Sequence, residues 1–386
     1  MDLKRNWNYP TTIWTGPGRL ADLREACVAA KIGKPLIVTD RGLAANEMIA
    51  RARAMLNDAP AFSDIQGNPV QANLDAGLAL YKHGAHDGVV AIGGGSALDI
   101  GKLIAFMAGQ SRPIWDFEDI GDWWTRADAD AIAPVVAVPT TAGTGSEVGR
   151  AAVITHPESH EKKIIFHPKM MPRIVISDPE LTVGLPPRVT VATGMDAFVH
   201  CFEAYCAPGF HPLADGIALE GMRLVKDYLP RAVDNGRDIE ARAMMLAAAS
   251  MGATAFQKGL GAVHALAHPV GAIYDTHHGM TNAVILPYVI AFNKHAIVPR
   301  ISAMARTLDL ADRTHESLMA WVVEFRRRLK VPSSLRDLGV GEDKVDLIAQ
   351  MAAADPSAGG NPAPVTVADF ARIFRAAVRG DLSLGS

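Results

Sequence analysis

An aspartate and a group of histidines fall at paired helical spacings in the middle of the chain. Asp196 and His200 are four apart, as are His264 and His268, and His277-His278-Gly279 follows shortly after. Residues four apart on an α-helix stack on one face, so each pair can present two ligating atoms to one point. Carboxylate oxygen and imidazole nitrogen suit a divalent first-row metal such as Fe²⁺ or Zn²⁺. A metal-dependent enzyme is therefore the first expectation. Either pair alone also reads as an ion pair or as hydrogen-bonded core histidine. Density separates the two readings. Four of the 13 histidines lie between 264 and 278, in a stretch otherwise apolar or small, where unpartnered imidazole is costly to bury. The spacing leaves open whether His264 or His268, and His277 or His278, would complete the set.

A second chemistry is carried by glycine and hydroxyl residues. Gly93-Gly94-Gly95-Ser96 follows an apolar run and opens a helical one, where backbone N–H groups and the helix start favour an anion such as a pyrophosphate. It is not the G-x-G-x-x-G fingerprint, and a tight turn would also explain it. Pro139-Thr140-Thr141-Ala142-Gly143-Thr144-Gly145-Ser146-Glu147, dense in hydroxyls, suits phosphate, ribose or a nicotinamide amide; a capped turn is the alternative. Asp40 ends the run 35–39, where an acidic side chain accepts from ribose hydroxyls and repels a 2′-phosphate. It precedes the glycine loop, the reverse of the usual dinucleotide order, and Arg41 stands beside it. NAD is favoured over NADP.

These groups need elements to hold them. The runs 35–39, 88–92 and 134–138 read as buried parallel strands, and 43–57, 70–83 and 96–108 as the helices between them. The runs 151–155, 162–166 and 173–177 are expected to extend or edge that sheet. After Leu185-Pro186-Pro187 the periodicity turns helical, with breaks expected at Pro230, Pro269, Pro287 and Pro332. Two domains follow: an α/β parallel-sheet domain over 1–186 and an all-α domain over 187–386. Pro356 to Pro364 reads as a surface loop.

At 386 residues the chain exceeds a usual single core, and 49% hydrophobic with 20% charged residues fits a packed globule. A net charge of −3 gives no electrostatic case for nucleic acid or an anionic membrane. No signal-peptide pattern or membrane-spanning run stands out, and three cysteines (Cys27, Cys201, Cys206) form no disulfide framework. A cytoplasmic protein is expected.

Taken together, the residues resemble the iron-containing (group III) alcohol dehydrogenase family. The carrying motifs are GGGSALDIGK at 93–102, PTTAGTGSE at 139–147, GMDAFVHCFEAY at 194–205 and GAVHALAHPVGAIYDTHHG at 261–279, and the likeness spans essentially the whole chain. The resemblance implies an N-terminal dinucleotide-binding parallel-sheet domain and a C-terminal helical domain, dehydroquinate synthase-like, with the active site in the cleft between. It implies Asp196, His200, His264 and His278 as metal ligands, with Fe²⁺ the family's metal and Zn²⁺ an alternative. It sets His268 near the substrate, either as a group behind the ligands or as a proton relay. For NAD it implies Asp40, Asn68, Gly94, Gly95, Ser96, Asp99, Thr140, Thr141, Thr144 and Lys162, with Leu181 near the adenosine. Gly149 and Ala151 stand where family members often carry a larger or polar side chain, which implies a roomier pocket. His277, often proline in relatives, is a further departure.

With an ion that takes five or six ligands, three imidazoles and one carboxylate leave a coordination position open, the mark of a catalytic site. The expected activity is hydride transfer between a primary alcohol, or its aldehyde, and NAD. The rivals are a polyol or carboxylated semialdehyde as substrate on the same fold, and a metal- or nucleotide-binding protein without catalysis. Arg150 and Lys162 would suit a carboxylated aldehyde such as a semialdehyde, although ion pairing at the surface is the better account of Arg150. By analogy with relatives, a homodimer or larger homo-oligomer is expected.

Overall fold

The structure is a computed structural model that describes residues 5–7, 11–159 and 161–383. It divides into two compact units, Met1–Gly184 and Leu185–Ser386.

The first unit runs β1 (Arg5–Trp7), β2 (Thr12–Thr15), α1 (Leu23–Ala29), β3 (Pro35–Thr39), α2 (Glu47–Met55), β4 (Ala61–Phe62), α3 (Gln71–His83), β5 (Gly88–Gly93), α4 (Gly95–Met107), β6 (Val135–Pro139), β7 (Ala151–Thr155), β8 (Lys162–Phe166) and β9 (Ile174–Ser177). Seven strands form one sheet in the order β1-β2-β9-β6-β5-β3-β4. Six are parallel, and β1 pairs antiparallel with β2. Residues 35–39, 88–93 and 135–139 are buried at every position, as a sheet covered on both faces requires.

The structure corrects the expectation for the later runs. β9 lies inside the sheet between β2 and β6. β7 and β8 instead make a separate antiparallel pair, Ala151 opposite Phe166 through Thr155 opposite Lys162. The alternating burial of β7 shows why: it packs one face inward and leaves the other partly open, unlike a strand of the parallel core.

The second unit is helical: α5 (Pro187–Cys206), α6 (Pro212–Asp234), α7 (Ile239–Ala255), α8 (Ala262–Tyr274), α9 (His278–Phe292), α10 (Val298–Leu308), α11 (His315–Arg328), α12 (Val345–Ala354) and α13 (Val367–Arg379). Pro230, Pro269 and Pro287 do not break their helices as expected; each lies inside one, and all three are buried. A proline in a helix interior costs roughly 3 kcal/mol, and the apolar packing of a buried helix exceeds that. α5 is buried along almost its whole length and is the spine of this unit. Small residues let its neighbours close in. A Cβ on Gly279 of α9 would sit 2.2 Å from the Ala192 carbonyl oxygen, and one on Gly252 of α7 would sit 2.9 Å from His200 Cβ. The segment after α12 is not simply a surface loop. Ser357 and Asn361 in it are buried, and Asn361 exchanges side-chain hydrogen bonds with Asn293, the residue that caps the end of α9. No helix among the described residues is long and apolar enough to cross a membrane.

Candidate active site

In the first unit the two glycine and hydroxyl loops meet. β5 ends at Gly93, whose φ of 154° and whose space, where a Cβ would fall 2.4 Å from Asp40 Oδ2, both require glycine. Asp40 follows β3, and its Oδ2 accepts from the Gly94 N–H at 3.0 Å. Burial pushes the Asp40 carboxyl above its ordinary value, against the lowering effect of that N–H. α4 begins at Gly95 with no side chain capping it, so its first amides remain available to an anion.

The second loop packs directly on this helix start. A Cβ on Gly95 would lie 2.8 Å from Thr144 Cγ2, and one on Gly94 would lie 3.6 Å from Thr141. The Thr140 N–H donates to the Gly93 carbonyl at 3.0 Å, and the Ser96 hydroxyl donates to the Gly67 carbonyl at 2.8 Å, which brings the Asn68 turn alongside.

Asp99 is engaged by its own chain. It accepts from the Ser146 hydroxyl at 2.5 Å and the Val153 N–H at 3.0 Å, and pairs with Lys102 at 3.1 Å. Lys102 is itself buried and donates to the carbonyls of Ser146 and Ala151. This pair therefore ties α4 to the hydroxyl loop and to β7. Gly149 and Ala151, the small residues flagged from the sequence, sit beside the same ammonium. Lys162 opens β8 opposite Thr155. Leu181 lies in a short turn and packs against the apolar layer formed by α1, α2 and the sheet. Arg41 pairs with Asp64, and the Arg150 guanidinium stands over the Phe166 ring at 5.6 Å.

In the second unit three helices converge. α5 contributes Asp196 and His200, α8 His264 and His268, and α9 His278. Around Asp196 Oδ1 the Nε2 atoms of His200, His264 and His278 stand at 3.8, 3.8 and 3.7 Å. Ligand atoms of Asp196, His200 and His264 all fall within 4.8 Å of one another, and these three residues are buried. Separations near 3.7 Å are too long for hydrogen bonds. They are close to the edge of a coordination shell, about 3.4 Å for a tetrahedron with ligands at about 2.1 Å.

The tautomer of one ring sharpens the case for a cation. His264 Nδ1 lies 2.6 Å from Glu203 Oε2, so the ring donates there and turns the lone pair of Nε2 toward Asp196. Burial opposes protonation of His264, but the Glu203 hydrogen bond and charge, with Asp196 and Asp355, raise its pKa overall. A carboxylate oxygen and ring nitrogens gathered this closely form a donor set that fits Fe²⁺ or Zn²⁺.

His268 and His277 take other places. The His268 ring lies beside His264 and His278, with centroids at 5.9 and 5.4 Å, while its Nδ1 is 2.7 Å from Asp355 Oδ2. His277 is the exposed residue before α9. Cys201, next to His200, is a buried thiol whose pKa burial pushes up to about 12.

Three residues of the site went unnoticed in the sequence. Asn282, one turn after His278, places Nδ2 2.7 Å from Asp196 Oδ1, 3.2 Å from His264 Nε2 and 3.1 Å from His278 Nε2. Glu203 lies two turns after Asp196 on α5, and both spacings were available as signals. Asp355, 87 positions from His268, had none.

A parallel-sheet unit with an anion-ready helix start, joined in one chain to a helical unit with a carboxylate-imidazole cluster, defines a nucleotide- and metal-using class of enzyme. The chain belongs to the iron-containing alcohol dehydrogenase family. Residues 10–179 match the model for iron-containing alcohol dehydrogenase, and 190–378 match the C-terminal model of the same family. It is 38% identical to a 4-hydroxybutyrate dehydrogenase of Cupriavidus necator, over 95% of this chain and 98% of that one. It is 35% identical to an NAD-dependent methanol dehydrogenase of Bacillus methanolicus, over 97% of this chain and all of the other. The crystal structure of a 1,3-propanediol oxidoreductase superposes with a TM-score of 0.90 at 33% identity, covering 98% of this chain and 100% of that one.

Proposed function

We propose that the chain is an NAD-dependent alcohol dehydrogenase that holds a divalent cation with Asp196, His200, His264 and His278 and interconverts primary alcohols and their aldehydes. The observation that carries this reading is the convergence of three imidazole Nε2 atoms on Asp196 Oδ1 at 3.7 to 3.8 Å. A bound Fe²⁺ or Zn²⁺ would supply Lewis acidity, lowering the pKa of an alcohol hydroxyl or polarising a carbonyl. NAD would take up the hydride from the alcohol carbon.

The chain's own residues do the rest. The amides opening α4 suit the pyrophosphate, with Gly94, Gly95 and Ser96 giving the backbone close approach. Thr141 and Thr144 set hydroxyls against the glycines that open α4, and Thr140, bonded through its N–H to Gly93, belongs to the same cofactor site in this reading. Asp40, at the end of β3, suits the adenosine ribose and disfavours a 2′-phosphate. Asn68 and Lys162 belong to the same cofactor site in this reading, as does Leu181 on the adenosine side, and Asp99 holds the hydroxyl loop in place. His268 donates its Nδ1 proton to Asp355, which leaves Nε2 to take up the alcohol proton and pass it to water. Assembly as a homodimer or larger, in the cytoplasm, belongs to the same reading; the three cysteines, free and buried, are compatible with a reducing compartment.

The test is to load the full chain anaerobically with Fe²⁺ or with Zn²⁺ and follow the NADH band with NAD and a panel of primary alcohols and diols. Turnover abolished by a chelator is expected; no turnover with either metal on any member would defeat the reading. A second reading, an ω-hydroxy carboxylate as substrate, is favoured by the 38% identity to a 4-hydroxybutyrate dehydrogenase. Higher kcat/KM on hydroxy acids than on the matching alcohols would select it. Metal analysis of protein purified without added metal reports which ion it carries.

A further inference from the structure

Glu203 is one of the most buried carboxylates in the helical unit, at 4% exposure, and both its oxygens are committed to α8. Oε1 accepts from the Val263 N–H at 2.7 Å and Oε2 from His264 Nδ1 at 2.6 Å. The preceding amide, that of Ala262, donates to Asn361 Oδ1 at 3.2 Å. The first N–H groups of α8 are thus satisfied by side chains from elsewhere in the fold, and the His264 ring is tied to the same carboxylate as the backbone beside it. Gly261 leaves room for this: a Cβ there would stand 2.9 Å from Glu203 Oε1. Asp196 and Glu203 are two turns apart on one face of α5, so a single rigid helix carries both the carboxylate at the cluster and the carboxylate behind it.

We propose that Glu203 is the positioning residue of the metal centre, fixing His264 as its Nδ1–H tautomer with Nε2 aimed at the cation and adding a second carboxylate to the buried cluster. The inference rests on the reading that Asp196, His200, His264 and His278 hold a divalent ion. A carboxylate behind a ligating imidazole orients the ring and raises its basicity, and losing one typically costs 10- to 100-fold in metal affinity.

The test is Glu203→Gln in the full chain. Glutamine keeps an acceptor for the Val263 N–H but sets an amide N–H against a ring nitrogen that must itself donate. Co²⁺ affinity is measured by competition with a chromophoric chelator, together with the visible Co²⁺ spectrum and, on metal-free protein, far-UV circular dichroism. The variant is expected to keep its helical signal, bind Co²⁺ roughly 10- to 100-fold more weakly, and shift the Co²⁺ bands. A purely structural role would lower the melting temperature without moving the bands or the affinity of the folded fraction, and would overturn the proposal. So would an affinity within threefold of wild type. If the variant does not fold, long-range ¹⁵N–¹H correlation on the Zn²⁺-loaded wild type decides: His264 carrying its proton on Nδ1 is expected, and a proton on Nε2 overturns it. A wild type that binds no Co²⁺ defeats the metal reading itself, and this inference with it. Binding by the wild type with an unchanged variant defeats only the role of Glu203.

Discussion

The side-chain nitrogen of Asn282 lies 2.7 Å from Asp196 Oδ1, joining α9 to α5 where three imidazole nitrogens gather. Both residues are buried, Asn282 completely, so this hydrogen bond forms away from water. With a metal bound, this amide would remain as the hydrogen-bond donor that orients the ligating carboxylate, and losing such a partner typically costs about 10- to 100-fold in metal affinity. Asn282→Ala is therefore expected to weaken Fe²⁺ or Zn²⁺ binding about tenfold or more while leaving all four ligands in place. Competitive chelation measures this, and an unchanged dissociation constant would separate Asn282 from the metal.

His268 stands beside the cluster with its Nδ1 held by Asp355. His268→Ala is expected to keep a full complement of metal and lose about 10²- to 10⁴-fold in kcat, the usual range for a general acid or base. Metal content by elemental analysis, measured alongside turnover, distinguishes the outcomes. Loss of metal would make His268 a ligand.

Asp355 has a pH signature of its own. Burial raises its carboxyl pKa, but the His268 charge and hydrogen bonds from His268 and Ser357 outweigh this and hold it below 3.8. An acid depressed on folding adds stability that is complete above its unfolded value near 3.8 and fades as pH falls through the folded value. Asp355→Asn should consequently be less stable than wild type in urea at pH 6. The two should converge toward acid, as denaturation midpoints measured across pH will show. A gap that widened below pH 4 would contradict the sign.

Asp40 offers a test of cofactor choice. Its carboxylate sits at the end of β3 against the glycine loop, where a 2′-phosphate meets repulsion. Asp40→Ser is expected to lower kcat/KM for NAD and raise it for NADP, narrowing the preference by about tenfold or more, the effect of about 1.4 kcal/mol. Steady-state rates with both cofactors check this; an unchanged ratio would place the ribose elsewhere.

Local pattern carried much of this. Continuous β-branched runs at 35–39, 88–92 and 134–138 identify strands covered on both faces, because no polar side is needed there. Where burial was one-sided, as at 151–155, the same kind of run belonged to a separate hairpin. Pro269 and Pro287 looked like breaks because the cost of an interior proline is local, whereas the packing that offsets it comes from neighbouring helices.

The site divides along the same line. Helical spacing alone determined that Asp196 with His200, and His264 with His268, each share a face, because four residues is about one turn whatever surrounds the helix. Which ring faces Asp196 depends on how each helix is rotated against its neighbours. It also depends on partners far away in the chain: Glu203 fixes His264, and Asp355 draws the Nδ1 of His268 aside. Those contacts span 61 and 87 positions, so helical spacing could not choose among the rings; the family resemblance implied His264 and His278, and the tertiary structure sets these two around the carboxylate with His268 and His277 outside it.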